Sequence, residues 1–141
     1  MNMLTVELLH DDAQAPRRAT EGSAGYDLCA YLRGRCVKCS DGAKTWDEQV
    51  SVLSDASDGT FMLGPGVAAL VPLGFKARLP KGIEAQIRPR SGTSFKKALQ
   101  IPNAPGTIDS DYPEEWMVIV RNPTAELTIR IEHGERIAQM V

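Results

Sequence analysis

The sequence lacks a long apolar run, and it lacks a surplus of charge of either sign. No stretch approaches the roughly 20 apolar residues that a membrane-spanning helix needs. Residues 1–12 contain no basic segment of the kind that opens a signal peptide. The net charge of −2 gives no overall basic field to attract nucleic acid or a membrane surface. We therefore expect no nucleic-acid or membrane partner and a cytoplasmic location, or a nuclear one if the source is eukaryotic.

Cysteine is scarce as well. The three cysteines are Cys29, Cys36 and Cys39, and an odd count without a secretory signal is typical of a reducing compartment. Cys36 and Cys39 have the spacing of half a zinc site, but the chain offers no second pair and no nearby histidine to complete four ligands. The sequence therefore predicts free thiols.

The composition is that of one globular domain with a core of useful size. The chain has 141 residues, of which 43% are hydrophobic and 24% charged. Short alternating runs between Gly/Pro turns predict an all-β sandwich or barrel without a long helix. The predicted strands are residues 3–9, 26–30, 61–63, 67–73, 75–79, 83–88, 115–121, 127–131 and 136–141, and a single helical turn is predicted at 93–98.

Residues 33–60 differ from the rest of the chain because they are rich in Lys, Asp, Ser and Gly. They contain one short apolar run, 50–53, and the turn-forming segments 40–42 and 57–59 bracket it. We predict a hairpin-like insertion, 33–60, within a single domain of residues 1–141.

Residues 103–112 combine an amide, a turn, two carboxylates and a phenol. Pro105 and Gly106 predict a turn that joins two extended arms. On an extended arm Asp109 and Asp111 point to the same side, because side chains alternate along a strand. Paired carboxylates suit general-base or metal–phosphate chemistry, although a solvated acidic loop has the same composition.

Residues 88–97 gather four cations, two serines, a threonine and a glycine. Backbone N–H groups after a Ser-Gly turn, flanked by Arg and Lys, can cradle a phosphate, and an ordinary basic loop is the equal alternative. Three other residues are predicted to have plain structural roles. His133 lies in a turn and is expected to be solvated, whereas Met117 and Met140 are expected in the core.

Four segments in one order closely resemble the first four motifs of the trimeric dUTPases (dUTP diphosphatases). The segments are residues 24–28, 88–92, 103–112 and 134–139. The resemblance implies a distorted β jelly-roll and a homotrimer in which several chains build each active site. It also implies Mg²⁺-assisted hydrolysis of dUTP to dUMP and pyrophosphate, by attack of an activated water on the α-phosphorus.

The third motif implies the residues that would read the nucleoside and activate the water. Asp109 would be the general base, since a carboxylate can take the proton of a positioned water. Asn103 and the backbone of its hairpin, including Gly106, would read the uracil edge. Tyr112 would pack under the deoxyribose and leave no room for a 2′-hydroxyl.

The other motifs imply the phosphate and metal residues. Arg90, Ser91 and Gly92 would hold the phosphates, with Gln139 on another phosphate oxygen. Asp27, by itself a solvated turn carboxylate, would hold waters of a Mg²⁺ that the triphosphate chelates. Such a metal keeps several waters and uses few protein ligands.

The sequence departs from the family pattern at three places, one of which is the insertion 33–60 between the first and second motifs. The family usually continues to a glycine-rich C-terminal arm with an Arg and a Phe, whereas this sequence stops at Val141. If the natural protein ends there, we expect nucleotide binding with strongly reduced turnover, and if the natural chain is longer, we expect an active enzyme. Residues 113–115 stand where the family usually has a basic or polar residue and Gly, and Pro113 is expected to change the angle of Tyr112.

Two alternatives to a dUTP diphosphatase stay open. One is a dUTP-binding regulatory or interaction protein with little turnover, which would use residues 33–60 to contact a protein partner. The other is a dCTP deaminase, which shares the fold.

Overall fold

A computed structural model of the protein describes residues 4–50 and 59–141. Within these residues the chain folds as strands with one short helix, α1. The elements are β1 (Thr5–Leu8), β2 (Tyr26–Cys29), β3 (Cys36–Ser40), β4 (Thr45–Gln49), β5 (Thr60–Leu63), β6 (Ala68–Pro72), β7 (Phe75–Arg78), β8 (Ala85–Arg88), α1 (Ser91–Lys97), β9 (Gly106–Ile108), β10 (Met117–Arg121), β11 (Ile129–Glu132) and β12 (Arg136–Met140). No helix in the described part of the chain is both long and apolar enough to cross a membrane.

The strands form two four-stranded antiparallel sheets and two antiparallel pairs. The first sheet has the order β10-β6-β3-β4 and the second has the order β2-β12-β8-β9, while β1 pairs with β7 and β11 pairs with β5. Neighbours in each sheet are mostly distant in sequence, as in a jelly-roll. This arrangement confirms the predicted all-β class.

One apolar core receives side chains from both large sheets. Val118 and Val120 of β10 point inward, as does Val71 of β6, and all three are fully buried. The second sheet contributes Leu28 and Ile137 to the same cluster. Burying each such side chain contributes about 1.5–3 kcal/mol, so the strand alternation seen in the sequence is what holds the sheets together.

Two structural expectations for single residues are wrong. Met117 is 36% exposed, because it lies on the outward face of β10, whereas Met140 is buried as predicted. The side chain of His133 is only 8% exposed instead of solvated. Its Nδ1 accepts hydrogen bonds from the backbone N–H groups of Leu32 (3.0 Å) and Arg33 (3.2 Å), so the ring joins two distant turns.

The hairpin predicted within residues 33–60 is present as β3 and β4, but its first arm does not protrude. β3 also pairs with β6, and it buries Val37 and Cys39 in the core. The three cysteines are free, as predicted, and burial raises the pKa of the Cys39 thiol to about 11. Residues 51–58, which hold most of the predicted apolar run and of the second turn, lie outside the described residues.

Asn122 is a fully buried amide that holds the turn after β10. Its Nδ2 donates to the carbonyl oxygens of Leu63 (2.9 Å) and Leu127 (2.7 Å). Its Oδ1 accepts from the backbone N–H and the hydroxyl of Thr124. All of the hydrogen-bonding capacity of this amide is therefore used inside the protein.

Asn122→Ala is expected to lower the free energy of unfolding by roughly 2–4 kcal/mol, because the buried carbonyl of Leu63 loses its side-chain donor. Urea denaturation followed by circular dichroism measures the change. Asn103→Ala is the matched control, since this amide is exposed and its removal should cost less than about 0.5 kcal/mol. Equal losses in the two variants would contradict the role given to Asn122.

Candidate functional site

A first group of predicted site residues meets on the second sheet. Asp27 on β2 lies opposite Gln139 on β12, and Gln139 lies opposite Arg88 on β8. Arg90 follows β8, and its Nε donates to Oδ1 of Asp27 at 3.0 Å. The structure thus brings Asp27, Arg90 and Gln139 together, although 63 residues separate the first two.

Gln139 is held in place by close packing and by one hydrogen bond. Its Nε2 donates to the carbonyl oxygen of Pro89 at 2.9 Å. Gly25 lies directly against its amide, and a Cβ at position 25 would come within 2.2 Å of Oε1. Any larger residue at position 25 would therefore displace the Gln139 side chain, which explains the glycine at this position.

Ser91 and Gly92 form the exposed start of α1. Arg90 occupies the N-cap position with extended backbone, and its side chain makes no capping hydrogen bond. The first turn contains no acidic residue, and the last turn contains Lys96 and Lys97. The helix covers seven residues, beginning at Ser91. The single turn predicted at 93–98 was too short and began too late. The exposed start of α1, beside the Arg90 guanidinium, is suited to bind an anion.

The donor set around Asp27 does not form an all-protein metal cage. Within residues 4–50 and 59–141, no group of three or more His, Cys, Asp or Glu side chains could hold a metal ion. The Asp27 carboxylate is already shared by Arg90 and by Nη1 of Arg136, which lies 3.5 Å from Oδ2. These residues fit only a metal that is held mainly by other oxygens and contacts Asp27 through water.

A second group lies on the hairpin that contains β9. Gly106 pairs with Ile87 of β8, and the Nδ2 atom of Asn103 lies 3.2 Å from the position that a Cβ on Gly106 would occupy. Glycine at position 106 therefore avoids a tight approach to the Asn103 amide. A turn is present, but it covers residues 102–105 and does not include Gly106, which is already in β9 and whose φ is not among the positive ones. The Ala104–Pro105 peptide is cis, and Ala104 N–H donates to the Ile101 carbonyl at 3.1 Å.

The predicted extended arm that carries Asp109 and Asp111 ends at Ile108. The backbone N–H of Tyr112 donates to the carbonyl oxygen of Asp109 at 3.1 Å, so residues 109–112 form a turn. The expectation that the two carboxylates lie on one side of a strand is therefore wrong. Both remain exposed, and the Tyr112 ring is 37% exposed.

An ion pair between Glu115 and Arg35 holds the chain just after this turn. The guanidinium of Arg35 contacts both carboxylate oxygens of Glu115, at 2.9 and 2.7 Å. Burial alone would raise the pKa of Glu115, but the hydrogen bonds from Arg35 and from the Gly74 N–H outweigh it and hold the pKa below its usual value. Glu115 is therefore a carboxylate at neutral pH.

The two groups lie at opposite ends of β8. Ile108 is opposite Ala85, so Asp109 continues past the beginning of β8, whereas Arg90 follows its end. At about 3.3 Å per residue of extended chain, positions 84 to 90 span roughly 15–20 Å. The Arg90 guanidinium also turns toward β2, on the side of β8 away from β9. Within one protomer, Asp109 therefore lies far from Arg90, which is predicted to bind the phosphates.

Sequence reasoning missed three residues of these groups: Arg35, Glu115 and Arg136. Arg136 lies within a recognised motif, but only the pairing of β2 with β12 brings it to Asp27. The Arg35–Glu115 pair joins positions 80 residues apart, and no local spacing indicates it.

Comparisons with known proteins show which family the chain resembles. A family model described as dUTPase matches residues 53–141. A deoxyuridine 5′-triphosphate nucleotidohydrolase of Rhizobium etli is 47% identical over 128 residues, which cover 91% of this chain and 67% of that protein. One of the same name from Hydrogenobaculum is 40% identical over 138 residues, or 98% of this chain and 77% of that protein.

Solved structures show the fold. The Staphylococcus bacteriophage 80alpha dUTPase with dUPNHPP superposes with a TM-score of 0.74 at 24% identity, covering 100% of this chain and 82% of that one. A dUTPase mutant from phage phi11 of S. aureus, in which a structural Mg(II) ion is coordinated, has a TM-score of 0.71 at 22% identity, over 99% of this chain and 89% of that one. The chain therefore has the jelly-roll type of fold found in these proteins, as the sequence predicted.

Proposed function

The chain belongs to the dUTPase family, and we propose on that basis that it hydrolyses dUTP to dUMP and pyrophosphate. The observation that carries the proposal is the cluster of Asp27, Arg90 and Gln139 beside the open start of α1. Guanidinium groups and free backbone N–H groups recognise phosphate oxygens well, and the Asp27 carboxylate holds the Arg90 fork in one orientation.

In this proposal the phosphate chain lies along the Arg90 group. Arg90, Ser91 and Gly92 contact phosphate oxygens, and Gln139 contacts another. Positively charged donors aimed at the phosphates stabilise the charge that develops as the bond to the leaving pyrophosphate breaks. The residues that position the phosphates are thus expected to contribute most of the rate.

The β9 hairpin provides the nucleoside half of the proposed site. Asn103 and the backbone near Gly106 read the uracil edge, and cytosine would leave buried polar groups unpaired there. Tyr112 packs under the deoxyribose. Asp109 accepts the proton of the water that attacks the α-phosphorus, which suits an exposed carboxylate on a turn held by hydrogen bonds.

Mg²⁺ is the proposed metal, and it would arrive with the triphosphate. Asp27 would hold waters of the ion, and the ion would neutralise charge on the phosphate oxygens. This role is compatible with a carboxylate that is already shared by Arg90 and Arg136.

A homotrimer with sites shared between chains is proposed because the two halves of the site lie far apart in one protomer. The roughly 15–20 Å between Asp109 and Arg90 is too long for one α-phosphate to contact both, since contact requires about 3 Å on each side. A symmetric oligomer can place Asp109 of one chain beside Arg90 of another.

The division of the chain into one domain of residues 1–141 with an insertion at 33–60 also stays a proposal. β3, the first strand of the hairpin, belongs to the first sheet through its pairing with β6. An insertion relative to the family would therefore lie between β3 and β4 or between β4 and β5. A protein partner at these residues remains the alternative use of the segment.

The test is an assay of the protein with Mg²⁺ and each of dUTP, dCTP, dTTP and UTP, in which pyrophosphate and ammonia are followed. We expect pyrophosphate from dUTP and little from the others. Ammonia from dCTP would identify a deaminase instead. Tight binding of dUTP without either product would favour a regulatory binding protein.

A further inference from the structure

We propose that the Arg35–Glu115 ion pair is a positioning device that sets the place of Tyr112, and through it the sugar selectivity of the site. The inference rests on the proposed function and adds a residue from outside the recognised motifs. Arg35 lies in the segment 33–60, which the proposed chemistry otherwise leaves without a role.

The ion pair has the geometry of a rigid clamp. Arg35 Nη1 donates to Oε2 of Glu115 at 2.9 Å, and Nη2 donates to Oε1 at 2.7 Å. Oε2 also accepts from the backbone N–H of Gly74 at 2.8 Å. The two side chains are only 22% and 13% exposed. A bidentate, partly buried pair with a third donor fixes both position and rotation, which an exposed pair does not.

The clamp reaches the candidate site through Tyr112. The Tyr112 hydroxyl donates to the carbonyl oxygen of Glu115 at 3.2 Å, and the Tyr112 N–H donates to the carbonyl of Asp109 at 3.1 Å. Moving Glu115 would therefore move the phenol that is proposed to face the sugar. The turn that carries Asp109 would follow it.

The segment has few other attachments. Among the described residues, the hydrogen bonds that join 109–115 to the rest of the protein all end on the Glu115 carboxylate. The next residue, Trp116, is fully buried, and its N–H donates to the Phe75 carbonyl at 2.9 Å. The chain is thus fixed at β9 and at Trp116, and the clamp holds the stretch between them.

The position of Arg35 explains how it can act there. It immediately precedes β3, which pairs with β6, and β6 pairs with β10. The strand order therefore carries the base of the hairpin to the beginning of β10, where Glu115 lies. A change at the base of the β3–β4 hairpin would be transmitted to the site without any direct contact with the nucleotide.

Arg35→Gln is expected to lower the ratio of kcat/KM for dUTP to that for UTP by about tenfold, because a loosely held phenol no longer excludes the 2′-hydroxyl. We expect kcat for dUTP to fall by about 10- to 100-fold, since small misplacements of positioned groups are costly. Inhibition by pyrophosphate should stay within about twofold, because the Arg90 guanidinium that would bind it is held by Asp27 and not by the clamp. Arg35→Lys should give intermediate values of kcat and of the selectivity ratio, because lysine keeps the positive charge but cannot make the bidentate contact with the carboxylate.

Arg33→Gln is the matched control. It removes a guanidinium two positions away that pairs with Asp12 instead of Glu115, and it should leave both kcat and the selectivity ratio unchanged. Glu115→Gln provides a second route if Arg35→Gln does not fold, since the amide keeps an acceptor for the Gly74 N–H.

Wild-type selectivity in Arg35→Gln and Glu115→Gln, with only a lowered Tm, would show that the pair is merely structural and would overturn the proposal. This outcome differs from failure of the proposed function. If the proposed function were wrong, the unaltered protein itself would release no pyrophosphate from dUTP.

Discussion

Asp109→Asn is expected to lower the rate of pyrophosphate release from dUTP by about 10²–10⁴-fold, the usual contribution of a general base. The amide has nearly the shape of the carboxylate but cannot accept the proton of the attacking water. Affinity for a non-hydrolysable dUTP analogue should change by less than about threefold, because Asp109 is exposed and the proposed nucleotide contacts come from other residues. Calorimetric titration with the analogue and a pyrophosphate assay measure the two quantities.

Asp111→Asn is the control for this variant. Asp111 lies in the same turn, is equally exposed and carries the same charge, but it has no proposed role in proton transfer. It should retain activity within about threefold of the unaltered protein. Hydrolysis within tenfold of normal in Asp109→Asn would remove Asp109 from the role of base.

Mixing two inactive variants in one oligomer is expected to restore activity. Asp109→Asn protomers lack the base, and Arg90→Gln protomers lack the guanidinium that would hold the phosphates. If each site takes Asp109 from one chain and Arg90 from another, a homotrimer that contains both variants has about one third of its sites complete. The separation of the two residues along β8 is the reason for this expectation.

Co-expression of the two variants with different affinity tags, followed by tandem purification, gives the mixed oligomer. Each variant purified alone should stay near background. If the mixed oligomer also stays near background, both residues serve one site within a single chain, and the shared-site proposal is wrong.

Local sequence patterns predicted the strands well. β6, β8, β10 and β12 fall within predicted runs, because apolar or alternating runs of strand length between turn residues can be recognised from the local sequence alone. The helix was recognised but made too short. Thr93 is the one buried residue of α1, so no apolar period indicated where the helix began.

The stretch 103–112 was predicted less well. Gly106 was read as a turn residue because of its freedom in φ, whereas it lies in β9, where a Cβ would come tightly against the Asn103 amide. The arm carrying Asp109 was read as extended, but a hydrogen bond from Tyr112 closes it into a turn. Neither conformation followed from intrinsic preference, because the first involves a close approach to Asn103 and the second a backbone–backbone hydrogen bond.

The sequence by itself determined the all-β class, the free thiols and the motif residues, because these depend on periodicity, on residue chemistry and on order along the chain. Only the tertiary structure decided that Arg90 meets Asp27, that His133 is buried, and that Asp109 lies at the other end of β8 from Arg90. It also decided that Arg35 clamps Glu115 across 80 residues of sequence. Such pairs depend on strand order and register, which arise from packing the whole chain around one core, and no local pattern encodes them.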